Sequence, residues 1–339
     1  MVENHIPMSI PNTFKALLAE EKQGKIFTEV KELSSSVLPE GEVTINVEYS
    51  SLNYKDALSA TGRNNVTRSY PHIPGIDASG TVLEDASGTY KSGQKVIVTG
   101  HDLGTNTFGG FGELIRVPKE WAVKLPDSMS LKEAMIFGTA GFTAMYGIER
   151  LKRELILPQS GPVLVSGATG GVGSLAVYFL SELGYNVVAA SRKMDTEFLK
   201  RLGATEIISS DELLNVPESP LLSRKWAGAI ETVGGELLDS VLRQTQSKGA
   251  AACCGNVLGM ELNTNVLPFI LRGVSLLGID SAFCEWEQRN KNWKLMAEIG
   301  TSGLPNDFYK TVSLEELPKE INLILDGGQR GRVVVEHSI

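Results

Sequence analysis

Val163-Leu-Val-Ser-Gly167-Ala-Thr-Gly-Gly-Val-Gly173 decides the reading of this chain. A short apolar strand, 163–166, runs into a glycine-rich turn, and the turn opens an amphipathic helix over 172–183, closed by Gly184. Amides at a helix start have no partner inside the helix and point at whatever lies beyond it. The aligned peptide dipoles add roughly half a positive charge there. A pyrophosphate is the natural occupant. Gly170 permits close approach of a phosphate to the backbone, and Gly173 lets the helix pack tightly on the strand. The Gly-x-Gly-x-x-Gly frame ending at Gly173 begins on Ala168, and a second frame, Gly171-x-Gly173-x-x-Ala176, also fits loosely. A turn that merely needs glycines is the plain alternative. The strand before, the helix after and a second strand at the right distance favour dinucleotide binding, with Ala168, Thr169, Gly170, Gly171 and Val172 at the turn.

The second strand, 186–190, selects the nucleotide. NAD sites usually carry an acid at its end, bonded to the ribose hydroxyls. Here it ends Ala190-Ser191-Arg192-Lys193, with no acid before Asp195. Ser191 can donate to a phosphate oxygen, and Arg192 can pair with the 2′-phosphate of NADP. NADPH is therefore the expected cofactor; an ordinary polar loop with solvated charges is the alternative.

Outward from the turn, strand and helix alternate. A helix is expected over 195–202, capped by Gly203, and strands over 227–232, 249–254 and 274–279. That alternation predicts a parallel sheet with helices on both faces. Residues 14–130 read differently: short alternating runs such as 43–49 and 95–99 are separated by Gly, Pro and Asp/Ser turns, which points to a β sandwich or barrel. The texture turns helical over 130–153. Beyond Ser281 a helix over 286–299 and a last strand over 332–336 are expected. The domains are read as 1–129 for substrate, 130–280 for the dinucleotide, and 281–339 returning to the substrate domain.

The 339 residues carry a net charge of −8, which argues against a broad nucleic-acid or anionic-membrane footprint. The three cysteines, Cys253, Cys254 and Cys284, are odd in number and two are adjacent, so a disulfide framework is not expected and a cytoplasmic setting is. Residues 1–14 lack the pattern of a secretory leader, and no run reaches the ~20 apolar residues of a membrane span.

Four stretches carry a resemblance: Ser50-Ser-Leu-Asn-Tyr-Lys-Asp-Ala-Leu58, Pro71-His-Ile-Pro-Gly-Ile-Asp-Ala-Ser-Gly80, Gly138-Thr-Ala-Gly-Phe-Thr-Ala144 and Leu267-Pro-Phe-Ile-Leu-Arg-Gly-Val-Ser-Leu-Leu-Gly-Ile-Asp280. In this order they resemble the zinc-free acrylyl-CoA reductase and quinone oxidoreductase family (YhdH/YhfP type) of the medium-chain dehydrogenase/reductase superfamily. The resemblance runs from about residue 14 to the C-terminus. It implies a GroES-like β-barrel domain beside a Rossmann doubly wound α/β domain. It also implies NADPH as hydride donor, and a homodimer formed by pairing the edge strand 274–279 with its mate.

Zinc-dependent relatives carry a Cys and a His-Glu pair early in the chain; Asn53 and Ile76-Asp77 stand at those places. His5, His72, His101 and His337 are scattered without ligand-like spacing, so no metal is expected, and His72 reads as a structural loop residue. Without a metal, an electron-poor acceptor such as an enoyl-CoA or a quinone is the expected small-molecule substrate. Tyr54 is the candidate proton donor, Asn53 the group that orients the carbonyl or cofactor amide, and Asp56 the group that holds Tyr54 or Lys55, or else a helix cap. Thr139 resembles the superfamily residue near the nicotinamide, and helix N-capping is the alternative reason for a Thr there. Gly255 and Asn256 follow a sheet strand and face the cofactor; Ile279 and Ser281 line the nicotinamide pocket. Arg332 reaches a cofactor phosphate or sits on the surface. Arg63 and Arg68 are candidates for a CoA phosphate, and Cys254 reads as a small core residue. The competing readings are a 2-enoyl-CoA reductase, a quinone or general enone reductase, and a non-catalytic NADPH-binding protein.

Overall fold

The computed structural model describes residues 9–337, so His5 and most of residues 1–14 lie outside it. The chain forms two compact units. One comprises the chain up to Thr139, Ala282–Ala297 and the segment from Tyr309 onward; the other comprises Ala140–Ser281 and Glu298–Phe308. The crossing at Thr139 falls inside the helix Leu131–Arg153, just after a non-helical residue, Gly138 (φ 52°, ψ −157°). The division therefore lies at 139/140 rather than 129/130. The first turn of that helix is tied to the β unit, where Ser79 Oγ donates to Leu131 O (2.8 Å).

The β unit contains β1 (Thr13–Lys22), β2 (Lys25–Ser34), β3 (Val43–Ser51), β4 (Asp77–Asp85), β5 (Lys95–Thr99), β6 (Leu114–Val117) and β7 (Ala122–Lys124). The α/β unit contains β8 (Val163–Val165), β9 (Val187–Ser191), β10 (Glu206–Ser209), β11 (Trp226–Glu231), β12 (Thr245–Cys253) and β13 (Ser275–Gly278). The returning tail adds β14 (Tyr309–Val312) and β15 (Arg332–Glu336) to the β unit.

In the β unit, β1 and β2 form a hairpin, and the remaining strands run β14-β15-β3-β4-β5-β7, with β6 also on β3. Alternation buries Val43, Ile45 and Val47 of β3 against Val96 and Val98 of β5. The stretch that resembles the family motif near residue 54 interrupts the strands with a helix, Tyr54–Thr61, closed by Gly62 in the left-handed region (φ 69°).

The α/β unit is a six-stranded sheet, order β10-β9-β8-β11-β12-β13, parallel at every pairing. This is the doubly wound order, and its reversal point lies between β8 and β11, the edge where ligands of such sheets bind. Helices Gly171–Glu182 and Gly235–Gln244 follow β8 and β11. The expected strand 249–254 begins earlier, at Thr245, because the helix before it passes into it without a loop. β13 closes one side of the sheet as an edge strand. Among the described residues no helix is long and apolar enough to cross a membrane.

Candidate functional site

The glycine turn sits at the carboxyl end of β8. The first bond of the following helix runs from Ser174 N–H to Gly170 O (2.9 Å), so the amides of Gly171, Val172 and Gly173 have no acceptor within the helix. A Cβ at Gly173 would stand 2.3 Å from Gly167 O, so packing alone excludes any other residue. Gly167 is left-handed (φ 57°), and a Cβ there would meet Thr232 Oγ1 at 2.4 Å. At Gly170, by contrast, the nearest atom to a Cβ would be Gly167 O at 3.3 Å, and φ is ordinary (−78°). Packing there asks for a shift of only a few tenths of an ångström, far less than at Gly173, and close approach of a phosphate to the backbone is the further demand that suits glycine. These residues fit a dinucleotide pyrophosphate.

Next to the turn lies a group the sequence did not single out. Glu231, buried at the carboxyl end of β11, accepts from Ser166 Oγ (2.9 Å), Val233 N–H (2.8 Å) and Gly234 N–H (3.0 Å). Thr232 donates its N–H to Ser166 Oγ and its hydroxyl to Ser166 O. These bonds lock the 232–234 loop onto the end of β8. Burial pushes the Glu231 carboxyl above its ordinary range. An acid ending the apolar run Trp226–Glu231 was the available signal.

The cofactor candidates of the α/β unit divide by exposure. Ala168 and Thr169 are buried, and Ala168 N–H donates to Ala190 O (3.1 Å). Ser191 is also buried, its hydroxyl shared with Thr169 Oγ1 (3.2 Å) and Lys193 N–H (3.2 Å). Its hydroxyl is thus held inside rather than offered at the loop. Arg192, the next residue, is exposed and has no hydrogen-bond or ion-pair partner among the described residues. Gly255 cannot carry a side chain, because a Cβ would fall 1.9 Å from Thr232 O. Asn256 after it is exposed. Ile279 N–H donates to Cys253 O (3.0 Å), and Ser281 Oγ accepts from Thr143 Oγ1 (2.7 Å).

In the β unit, the candidates converge on Asp77, the carboxylate that stands with Ile76 at the place of the His-Glu pair of zinc-dependent relatives. Asp77 opens β4 and is fully buried. It accepts from Thr139 N–H (2.9 Å) and Thr139 Oγ1 (2.5 Å), from Ser51 Oγ (2.5 Å), and from Asn53 Nδ2 (2.7 Å). Arg332 lies beyond, its NH2 3.8 Å from Asp77 Oδ2. Two bridges join them. Arg332 donates to Ser51 Oγ (2.8 Å) and to Asn53 Oδ1 (3.2 Å), and both residues pass a proton donor on to Asp77. Arg332 also donates to Leu52 O and Ile136 O. The expectation that Arg332 reaches a phosphate or the surface is corrected: it is 2% exposed, and its guanidinium donors are directed at this cluster.

Asn53 is corrected in the same way, and for Asp56 the structure favours the helix-cap alternative. The Asn53 amide is engaged with Asp77 and Arg332, so orienting a carbonyl is not its work. Asp56 is buried, and its oxygens accept from Asn53 N–H (2.7 Å) and Ile76 N–H (2.7 Å), not from Tyr54 or Lys55. It caps the helix and pins it to the strand entry. Burial, and then the neighbouring Asp77 carboxylate, push Asp56 up to about 7. That leaves Tyr54, the first residue of the helix and 42% exposed, and the exposed Lys55 beside it as the side chains of this motif that face outward. His72 is buried, its backbone paired with Ala19 and its ring against Tyr70 and Phe108, which fits the structural reading.

Residues 39–127 match the family described as the alcohol dehydrogenase GroES-like domain, and residues 171–298 the one described as zinc-binding dehydrogenase. Acrylyl-CoA reductase AcuI of Ruegeria pomeroyi is 42% identical over 95% of this chain and 99% of its own length. The chain belongs to the acrylyl-CoA reductase and YhfP family of the medium-chain dehydrogenase/reductases. Family structures agree: YhdH oxidoreductase from Salmonella enterica in complex with NADP is 43% identical over 95% of this chain and 99% of that one, with a TM-score of 0.91. YhfP of Bacillus subtilis with NAD bound is 42% identical over 96% of this chain and all of that one, with a TM-score of 0.91. In this family member zinc does not fit the residues: an amide (Asn53) and a buried cation (Arg332) surround Asp77. Among the described residues no group of three His, Cys, Asp or Glu is placed to hold a metal.

Proposed function

We propose that this protein is an NADPH-dependent oxidoreductase that reduces the conjugated double bond of a small enoyl-CoA. The observation that carries the reading is the glycine turn at the reversal point of the sheet, followed at the end of β9 by an exposed, unpartnered Arg192 and no acid. The acceptor class comes from the similarity to AcuI along nearly the whole chain. NADPH, when bound, supplies a hydride for the β-carbon of the acceptor, whose electrons move onto the thioester oxygen until the α-carbon takes a proton.

This chain's residues then have distinct roles. The amides of Gly171, Val172 and Gly173 hold the pyrophosphate, and Arg192 holds the 2′-phosphate. Gly255, Asn256, Ile279 and Ser281 shape the nicotinamide end. Tyr54 donates the hydrogen bond or proton that the enolate needs. The β unit serves as the substrate domain. The chain pairs with a second copy through the edge of β13, a reading supported by that open edge and by the exposed Val266, Ile270 and Leu271 just before it in the chain. Three free cysteines suit a cytoplasmic setting.

A quinone reductase is the second reading, favoured by YhfP, which is provisionally designated a quinone oxidoreductase. Following NADPH absorbance with acryloyl-CoA, crotonoyl-CoA, a benzoquinone and a saturated aldehyde separates the two. Fast oxidation with the enoyl-CoA esters alone is the expected result. Oxidation with the quinone alone replaces it with the second reading. NADPH binding without turnover on any acceptor leaves a non-catalytic binding protein.

A further inference from the structure

We propose that Asp77 is a positioning residue of this reaction, setting the place of the Thr139 hydroxyl and of the turn that carries Tyr54. The proposal rests on the oxidoreductase reading above. Three features of the cluster support it. First, the helix Leu131–Arg153 breaks at Gly138 and restarts at Thr139, whose N–H lies 3.0 and 2.9 Å from the two Asp77 oxygens. A carboxylate at a helix start is held there by the first amides and the dipole. Second, the Thr139 hydroxyl gives its proton to Asp77 Oδ1 (2.5 Å), so it cannot also donate that proton elsewhere. Third, Asn53, which precedes Tyr54, is tied to Asp77 through Nδ2 (2.7 Å).

The direction of every hydrogen in the cluster follows from the two charges. Arg332 donates to Ser51 and Asn53, and both donate to Asp77. With an amide in place of the carboxylate, one of its two ends would have to present N–H groups to other donors. Thr139 and Asn53 would then lose their fixed orientation, while the glycine turn, built from residues 163–173, keeps its amides.

The test compares wild type with Asp77→Asn, Thr139→Val, Thr139→Ser and the Asp77→Asn/Thr139→Val double variant. It reads kcat and KM for the acceptor, and the NADPH Kd by nucleotide fluorescence. The expected result for Asp77→Asn and for Thr139→Val is a kcat lower by about tenfold to a hundredfold. NADPH Kd and acceptor KM should stay within about threefold of wild type, and Thr139→Ser should match it to the same degree. The double variant should be no slower than the slower single, since both changes break one link. Losses that multiply, or a kcat unchanged in Asp77→Asn, would overturn the proposal. If Asp77→Asn does not fold, Thr139→Val decides, and an unchanged kcat there overturns it equally. If wild type turns over no acceptor, the oxidoreductase reading falls by itself. Positioning is then read from the emission of bound NADPH, which Asp77→Asn and Thr139→Val must shift alike. Unequal shifts, or no NADPH binding, reject it.

Discussion

Gly138 and Asp77 fit with no room for a methyl group between them: a Cβ on Gly138 would stand 2.5 Å from Asp77 Oδ2 and equally close to Ser51 Oγ. The same glycine has a left-handed φ of 52°, which lets the helix break and present Thr139 to the carboxylate. Gly138→Ala therefore meets both strain and collision. A loss of about 2 kcal/mol or more is expected, read as a lowered urea midpoint. An unchanged midpoint would show that the break does not depend on glycine.

Arg192 is the exposed cation beside the end of β9. Arg192→Ala should weaken NADPH by about tenfold or more, since hydrogen bonds to charged groups are worth about 1.5–3 kcal/mol. NADH, which lacks the 2′-phosphate, should bind as before. Fluorescence titration with both nucleotides checks this; equal weakening of the two removes Arg192 from the 2′-phosphate.

Tyr54 carries a hydroxyl without a hydrogen-bond partner among the described residues, on a helix start fixed by Asp56. Tyr54→Phe should lower kcat by about a hundredfold, with NADPH affinity retained. Unchanged turnover would leave the α-carbon proton to solvent.

Stability should fall on the acid side of neutrality. Burial lowers His101 and His337 to about 4, against 6.5 when unfolded, so the unfolded chain takes up two protons that the native state refuses as pH falls from 6.5 to 4. Asp56 works the other way. Its native value of about 7 lies above the unfolded 3.8, so the native state takes up one proton over that window and gains stability. Among these three groups the unfolded state holds one proton more, and two further buried groups act in opposite directions, His72 lowered and Glu231 raised, so the unfolding free energy decreases from pH 6.5 toward 4. Urea unfolding across this range should show that slope. His101→Asn, whose side chain suits the left-handed backbone there (φ 53°), should flatten it.

The thiols should be inert. Burial, and then the Glu231 carboxylate, raise Cys253 to about 11 and push Cys254 higher still; Cys284 is buried. Ellman's reagent at pH 8 should modify the folded protein slowly and the urea-unfolded protein at once. Fast reaction of one thiol in the native state would reopen a chemical role for it.

The α/β unit was readable because its signals are local. The glycine turn, the strand–helix alternation and the acid-free end of β9 lie within about thirty residues, and periodicity reports which residues face a core. The helix over 286–299 and the strand over 332–336 were placed for the same reason. The candidate site in the β unit was readable only as residue types. Residue type marks Asn53 and Arg332 as chemically capable groups, but the structure makes both partners of a buried cluster, and of the two readings open for Asp56 it favours the helix cap.

The sequence by itself determined the strand–helix alternation of a parallel sheet, the nucleotide turn and the class of cofactor, because spacing along the chain carries the signals of strand, turn and helix; the order of the strands came from the fold. Only the tertiary structure decided which polar groups are spent and which are free. Asp77 and Arg332 come from opposite ends of the chain, and Thr139 from between them. A buried charge must find its partners wherever the fold brings them. Those partners leave no periodic trace in the sequence, so the roles of Arg332 and Asn53 could be read only from the folded chain.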